Sequence, residues 1–183
     1  MGYFELIVLL LFILALVDLS VGVSNDAVNF LNSAIGSRVA SRRVILAIAG
    51  LGVLAGSLSS SGIMEVARSG IFNPGMFTFA DVMVIFLAVM LADVLLLDLF
   101  NTFALPTSTT VSIVFELLGA SVAVAAFVVI ANADAGSVLS FVNVERATLI
   151  ISGIGLSVVI AFVVGTVVQF FSRMLFTFQE KNH

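Results

Sequence analysis

The stretch Gly22-Val-Ser-Asn-Asp-Ala-Val-Asn-Phe-Leu-Asn-Ser33 directly follows an apolar run that is long enough to cross a bilayer. On a helix, its residues Asn25, Asn29 and Asn32 fall close to one line, and Asp26 lies at the edge of that line. A polar stripe on an apolar helix must face protein or water, because lipid cannot satisfy its hydrogen bonds. The stretch therefore predicts a polar interior within a membrane protein.

Two local geometries are compatible with this stretch. The first helix either continues through it, or Ser24 or Asn25 caps a new half-helix that begins near Asp26. Both geometries direct Asp26 and Asn29 toward the interior of the protein. The sequence leaves the choice between them open.

The composition of the chain identifies the class of protein that contains this stretch. Of the 183 residues, 61% are hydrophobic and only 10% are charged, and the mean hydropathy is +1.28. A soluble domain of this length could not bury so much apolar surface. The net charge of −4 argues against a nucleic-acid partner, and the absence of cysteine excludes disulfides and thiolate metal sites. The chain is therefore predicted to be an all-α integral membrane protein.

Five apolar stretches are long enough to cross a bilayer, which needs about 20 helical residues. They comprise residues 3–21, 44–63, 79–99, 111–130 and 147–171. No soluble domain separates them, so residues 1–183 are predicted to form a single transmembrane domain. The predicted fold has about five transmembrane helices, plus a polar half-helix or re-entrant segment.

The basic residues predict how the chain is oriented. Arg38, Arg42 and Arg43 follow the first span, and Arg173 and Lys181 follow the fifth. Positively charged loops face the cytoplasm, so both regions are expected there and the N-terminus is expected outside. Five crossings satisfy both assignments. The expected location is the cell (cytoplasmic) membrane, as a multi-pass protein.

A second polar run, Asp98-Leu-Phe-Asn-Thr-Phe-Ala-Leu-Pro-Thr-Ser-Thr-Thr110, ends the third span. Pro106 disfavours helical geometry at the residue before it, so the third helix should stop nearby. The hydroxyl residues 107–110 then open the next helix and offer an N-cap. A helix start in low dielectric presents free N–H groups and the positive end of the helix dipole. This combination suits an oxyanion such as phosphate or sulfate.

The acidic residues point to a cation. Five of them lie in or beside the spans, whereas no Lys or Arg lies inside a predicted span; they are Asp18, Asp26, Asp93, Asp98 and Glu116. Unpaired carboxylates are costly in a membrane, so these must be protonated, hydrated or neutralised by a bound cation. Carboxylate and Asn carbonyl oxygens suit a small hard cation such as Na⁺. A cation site beside an anion site is what coupled anion uptake requires.

Some of these residues have purely structural interpretations, and the position of the single histidine argues against an enzyme. Asn, Ser and Thr in membrane helices also act as interhelical hydrogen-bond partners, worth about 0.6 kcal/mol each. This structural role is a strong alternative for Asp93 and Ser112. The small-residue pattern from Gly52 to Gly56 indicates helix packing rather than ligand binding. The single histidine, His183, lies in the terminal tail, so no Ser-His or His-metal arrangement can form in the spans, and an enzyme is not predicted.

Two motifs resemble those of a known family. Asn25-Asp26-Ala-Val-Asn29, after Gly22, resembles the glycine-alanine-asparagine-aspartate signature of the inorganic phosphate transporter (PiT) family. Residues Pro106-Thr-Ser-Thr-Thr110 resemble that family's proline-x-serine-threonine-threonine motif, and the two motifs lie in the expected order, about 80 residues apart. Ser24 stands where the family usually has alanine, and Val111 stands where it usually has histidine.

The resemblance implies uptake of inorganic phosphate by alternating access, driven by Na⁺, or by H⁺ in some members. The implied phosphate-site residues are Asp26, Asn29, Ser108, Thr109 and Thr110. The implied Na⁺ ligands are Asn25, Asp26 and Asn29. No cofactor other than the coupling ion is implied.

Family members have two inverted halves, each with both motifs, whereas this chain has one copy of each. The chain thus resembles the N-terminal half of an inverted-repeat transporter, either truncated or encoded separately. Its expected partners are phosphate, the lipid membrane, and a second half or another copy of itself. The alternatives are a transporter of another oxyanion such as sulfate, and a non-transporting membrane subunit whose polar groups only hold helices together.

Overall fold

The computed structural model describes residues 2–59 and 70–176. Its α-helices are α1 (Tyr3–Gly36), α2 (Arg42–Ser59), α3 (Phe79–Thr102), α4 (Thr109–Ala131), α5 (Val138–Phe141) and α6 (Val144–Phe176). Two short 3₁₀ helices, Pro74–Met76 and Ala133–Ala135, lie in the connections. The predicted all-α fold is therefore confirmed.

Five of the described helices, α1, α2, α3, α4 and α6, are long and apolar enough to cross a membrane. The predicted number of spans is confirmed, although residues 60–63 of the second predicted span lie outside the described residues. α1 has 34 residues, which corresponds to about 51 Å of helix. It continues without interruption through residues 22–33, so the polar stretch belongs to one long helix rather than to a separate half-helix.

The chain divides into two compact units, Met1–Val144 and Glu145–His183. The described part of the second unit is a single helix, α6 from its second residue onward. In the first unit α1 packs against α3, α3 packs against α4, and α2 contacts α1. The helices that contain both polar motifs thus pack together in the first unit.

Helices α1 and α3 run parallel and in register. Three side-chain pairs join them: Phe4 with Phe79, Asp18 with Asp93, and Asn25 with Asn101. Each pair is separated by 75 or 76 residues along the chain, and this constant offset requires the same direction in both helices. Spans one and three of a multi-pass protein cross the membrane in the same direction, as α1 and α3 do here. The pairing aligns the polar stretch of α1 with the end of α3.

The ends of α3 and α4 follow from local sequence. At the start of α3 the Thr78 hydroxyl accepts a hydrogen bond from the Asp81 N–H (3.3 Å), and the Asp81 carboxylate accepts from the Thr78 N–H (2.9 Å). This capping box satisfies two otherwise unpaired donors. α3 ends four residues before Pro106, and Ser108 caps α4 by accepting from the Val111 N–H (3.4 Å). The predicted helix break and hydroxyl cap are both found.

The other end of α3 adjoins an aromatic cluster formed by two connections. The rings of Phe72 and Phe77 lie 5.7 Å apart, and those of Phe77 and Phe141 lie 5.1 Å apart. The Asn73 N–H donates to the Phe141 carbonyl at 2.8 Å, and Phe72 forms an isolated β-bridge with Val142. The connection before α3 and the connection after α4 are thus held together, at the opposite end of α3 from Pro106.

The three glycines of α2 lie in open space among the described residues. A Cβ atom added at Gly50, Gly52 or Gly56 would meet nothing within 4 Å. The helix packing predicted from Gly52 and Gly56 is therefore not found within the described part of this chain.

Candidate functional site

The two polar motifs of the sequence meet in the first unit. The polar stretch of α1 lies against the last turn of α3, the loop of residues 103–108, and the first turn of α4. Side-chain hydrogen bonds of Asn25, Asn29 and Asp26 join α1 to the end of α3, the loop and the start of α4 respectively. The geometry of these bonds defines the candidate site.

Asn25 anchors the site from within. Its side chain is only 3% exposed, and its amide donates to the side-chain oxygen of Asn101 at 2.9 Å. The Asn101 amide in turn donates to the Val21 carbonyl at 3.4 Å. The Asn25 oxygen accepts a bond from the Asn29 amide at 3.3 Å. A buried amide in an apolar helix is thus satisfied at both ends, as its burial requires.

Asn29 and Asp26 connect α1 to the second motif. The Asn29 amide donates to the Thr107 carbonyl at 2.8 Å. The Thr109 hydroxyl lies 3.3 and 3.4 Å from the two carboxylate oxygens of Asp26, to which it donates. Thr109 is the first residue of α4, so Asp26 lies beside the positive end of that helix dipole. An acid and a helix N-terminus that are about 80 residues apart in sequence are therefore adjacent in space.

Gly22 permits this approach. A Cβ atom added at Gly22 would lie 3.8 Å from the Leu97 side chain and 3.8 Å from the Thr109 methyl group. This spacing is ordinary van der Waals contact, so the position has room for one carbon and little more. A glycine here allows α1 to lie close to the end of α3 and the start of α4.

Ser108 and Thr110 take different positions from Thr109. Ser108 is exposed, and its hydroxyl oxygen is used as the N-cap of α4. Thr110 is exposed and takes no part in the hydrogen bonds that join α1, α3 and α4 among the described residues. Of the three predicted hydroxyl residues, the structure brings Thr109 alone into contact with Asp26.

A cavity of about 320 Å³ lies beside these contacts. Its polar lining consists of side-chain amides, from Asn25, Asn29, Asn32 and Asn101, and its wall on the loop side includes Pro106. Amides offer both donors and acceptors, so this lining can coordinate a cation through oxygen and an oxyanion through nitrogen. Three Asn residues of the predicted polar stripe, together with Asn101, therefore line the same cavity.

The wall of the cavity contains a strained residue. Ala104 has a φ of 53°, in the left-handed region that residues other than glycine rarely adopt. The Phe103 and Ala104 N–H groups bond back to the last turn of α3. The left-handed residue therefore turns the chain sharply out of α3 toward Pro106.

Sequence reasoning did not assign Asn101 to the site. It lies within the quoted run 98–110, one helical turn after Leu97, which is fully buried. That spacing places Asn101 on the buried face of α3, and this signal could have identified it. The Thr107 carbonyl, the acceptor for Asn29, carries no such signal because it is a backbone group.

The donor set fits a small cation. Asp26 supplies a carboxylate, and Asn25 and Asn29 supply amide oxygens within two turns of one helix. Such hard oxygen ligands match Na⁺. Among the described residues, no group of three or more His, Cys, Asp or Glu side chains is arranged to hold a metal ion. The described residues thus offer one carboxylate and two amide oxygens as candidate ligands of a cation.

Comparison with known proteins identifies the family of the chain. No curated protein and no solved structure matches the chain significantly. A sequence model of the phosphate transporter family matches residues 22–183, which include both motifs and all six predicted site residues. This match begins at Gly22, the first residue of the polar stretch, and covers most of the chain. The chain is a multi-pass membrane protein that belongs to the phosphate transporter family.

Proposed function

We propose that this chain takes part in cation-coupled uptake of inorganic phosphate, with Na⁺ as the coupling ion. The observation that supports the proposal most directly is the contact between Asp26 and Thr109, at 3.3 Å. It places an acid that can bind a cation beside a helix start that can bind an anion. Membership of the phosphate transporter family supports phosphate as the anion.

Phosphate binds at the N-terminus of α4 in this proposal. The free N–H groups of the first turn and the positive end of the dipole favour an oxyanion. The hydroxyls of Ser108 and Thr110 add donors. Thr109 joins them when Na⁺ neutralises Asp26, because its single hydroxyl hydrogen can then turn from Asp26 to the anion. The Asn29 amide lies at the same loop through its bond to Thr107. No Lys or Arg is required for this mode of recognition.

The cation explains how phosphate approaches Asp26. An ionised carboxylate repels an oxyanion, and the repulsion is strong where water is scarce. Na⁺ held by Asp26, Asn25 and Asn29 would lie between the two negative groups and would offset the desolvation of both. Phosphate binding therefore depends on Na⁺, and this dependence is the coupling.

The site is completed by a second copy of both motifs, supplied by a second half of the transporter. Transporters of this kind bind substrate between two inverted repeats and expose it alternately to each side. This chain supplies one repeat in the cell membrane. The Arg38–Arg43 loop and the C-terminus face the cytoplasm in this arrangement, and the N-terminus faces outward.

The test is equilibrium binding of radiolabelled phosphate, in the presence of Na⁺, to the assembled transporter purified in lipid, that is, this chain together with the half or the second copy that completes the site. Thr109→Val keeps the shape of the side chain and removes its hydroxyl. We expect phosphate affinity to fall about tenfold or more, because a hydrogen bond to a charged group is worth about 1.5–3 kcal/mol. The matched control is Thr166→Val, which removes an exposed hydroxyl that bonds within α6. Equal affinity in Thr109→Val and the wild-type protein would overturn the proposal.

A competition assay distinguishes phosphate from sulfate, a second tetrahedral anion, as the substrate. Sulfate offers the same oxygen geometry as phosphate, and N–H and hydroxyl donors accept both. If unlabelled sulfate displaces labelled phosphate as well as unlabelled phosphate does, the substrate is a broader class of oxyanion. We expect poor displacement by sulfate.

The bonds of Asn25 favour one alternative function, that of a membrane subunit that does not transport. Both ends of its amide are used within the protein, as in helix-packing contacts. That alternative predicts that Asn29→Leu and Thr109→Val change thermal stability but leave phosphate binding and its Na⁺ dependence untouched.

A further inference from the structure

A second polar cluster lies deeper in the same unit, outside the candidate phosphate site. It consists of Asp18 of α1, Asp93 of α3, and Glu116 and Ser112 of α4. Asp93 lies about 21 Å from the start of α3, and Asp18 lies about 12 Å from Asp26 along α1. The cluster is therefore well inside the membrane and two turns away from the Na⁺ ligands proposed above.

The acidic groups of this cluster contact one another. The Asp93 carboxyl lies close to both Asp18 and Ser112, and Glu116 interacts electrostatically with Asp18 and Asp93. The Ser112 hydroxyl donates to one Glu116 oxygen at 2.8 Å. Three carboxyl groups thus lie close together. The side chain of Ser112 can donate only one hydroxyl hydrogen to them.

Asp93 provides an independent indication of a ligand. Its side chain is 2% exposed, and its Oδ1 atom has no hydrogen-bond partner among the described residues. The Asp18 Oδ1 and Glu116 Oε2 atoms are likewise buried without a partner there. A buried acceptor without a donor is strongly unfavourable, above all when it is charged. Something must supply the missing donor or the missing positive charge.

Helices α1, α3 and α4 contain no Lys, Arg or His, so no basic side chain of these helices supplies it. A transition-metal ion is a poor fit, because no group of three or more His, Cys, Asp or Glu side chains among the described residues has the arrangement of metal ligands. A proton supplies both the missing donor and the missing positive charge. Two adjacent carboxyl groups can share one proton, which satisfies one acceptor and removes the repulsion between them.

We propose that Asp18, Asp93 and Glu116 form a proton-binding site inside the membrane, with the proton held chiefly between Asp18 and Asp93. One carboxyl oxygen of Glu116 accepts the Ser112 hydroxyl, and the other faces the same cluster without a hydrogen-bond partner among the described residues. The site shares α1 with the Na⁺ ligands but none of its groups, so it stands independently of the proposed phosphate function.

The test is infrared difference spectroscopy of the purified protein in lipid, without phosphate, from acid to alkaline pH. Protonated carboxyl groups absorb apart from carboxylates and from amides. We expect the wild-type protein to keep a protonated-carboxyl band at neutral pH, and Asp93→Asn to lose most of it. The matched control is Asp98→Asn, an exposed Asp on the same helix, which should leave the band unchanged.

Three results would overturn the proposal. They are a wild-type protein without the band at neutral pH, equal loss in Asp98→Asn, and disappearance of the band when Na⁺ replaces K⁺ in the buffer. The last result would make the cluster a Na⁺ site. If Asp93→Asn does not fold, Asp18→Asn replaces it, because Asp18 is only partly buried. Since no phosphate is present, these outcomes are separate from those of the phosphate-binding test.

Discussion

The amide of Asn25 donates a 2.9 Å hydrogen bond to the side chain of Asn101, and this bond joins α1 to the last turn of α3. Asn25 is only 3% exposed, so its amide makes its hydrogen bonds chiefly within the protein. The bond fixes the depth of α1 relative to α3, and so it sets where Asp26 and Asn29 face the loop and α4.

Removing the acceptor should destabilise the protein. Asn101→Ala leaves the NH₂ group of the buried Asn25 amide without its acceptor, at a cost of about 1–2 kcal/mol. Thermal unfolding of the protein in lipid measures this loss, with Asn132→Ala as a control at an exposed Asn. A double-mutant cycle with Asn25→Ala should give a coupling energy of about 0.6 kcal/mol or more. A coupling energy of zero would show that the bond does not contribute.

Gly22 should accept alanine but not a large side chain. A Cβ atom at this position makes ordinary contacts at 3.8 Å, whereas leucine would push α1 away from Leu97 and Thr109. We expect Gly22→Ala to bind phosphate like the wild-type protein and Gly22→Leu to lose about tenfold or more in affinity. Gly52→Leu is the matched control, because its position is open among the described residues. Full affinity in Gly22→Leu would contradict the close approach of α1 to α4.

The left-handed backbone at Ala104 predicts opposite responses to two substitutions. Glycine adopts a φ of 53° without strain, so Ala104→Gly should be neutral or slightly stabilising. Valine is stiff and branched at Cβ, so Ala104→Val should lower the free energy of unfolding by about 1–3 kcal/mol. Thermal unfolding measures both variants, with Ala123→Val in the regular helix α4 as the control. Equal stability of the glycine and valine variants would refute the strained turn.

Much of this architecture could be predicted from sequence, because the membrane imposes strong rules on it. Apolar runs of about 20 residues identified the five spans. Pro106 and the hydroxyls after it identified the end of α3 and the cap at Ser108. The polar stripe on α1 identified Asp26 and Asn29, which contact the second motif, because only protein or water can satisfy such groups there. Asn29 is nevertheless exposed in this chain rather than buried in its interior.

The pairings between helices could not be predicted, because one sequence contains no signal for which residues of two helices meet. The partner of Asn25 is 76 residues away, and that of Asp26 is 83 residues away. For a related reason, the sequence could not decide whether α1 continues through Ser24 or ends there. Its hydroxyl bonds to the Ser20 carbonyl at 2.7 Å, within the helix, although the same group could have capped a new one. Tertiary packing decided between the two.

The most direct test of the account is the Na⁺ dependence of phosphate binding in Asp26→Asn. Radiolabelled phosphate is bound to the wild-type and variant proteins in lipid, at a series of Na⁺ concentrations with K⁺ as the replacement ion. Asp134→Asn, an exposed Asp outside the site, serves as the control. The account predicts that Na⁺ raises phosphate affinity in the wild-type and control proteins and fails to do so in Asp26→Asn. An equal Na⁺ effect in all three proteins would contradict the claim that Asp26 holds the coupling ion beside the phosphate.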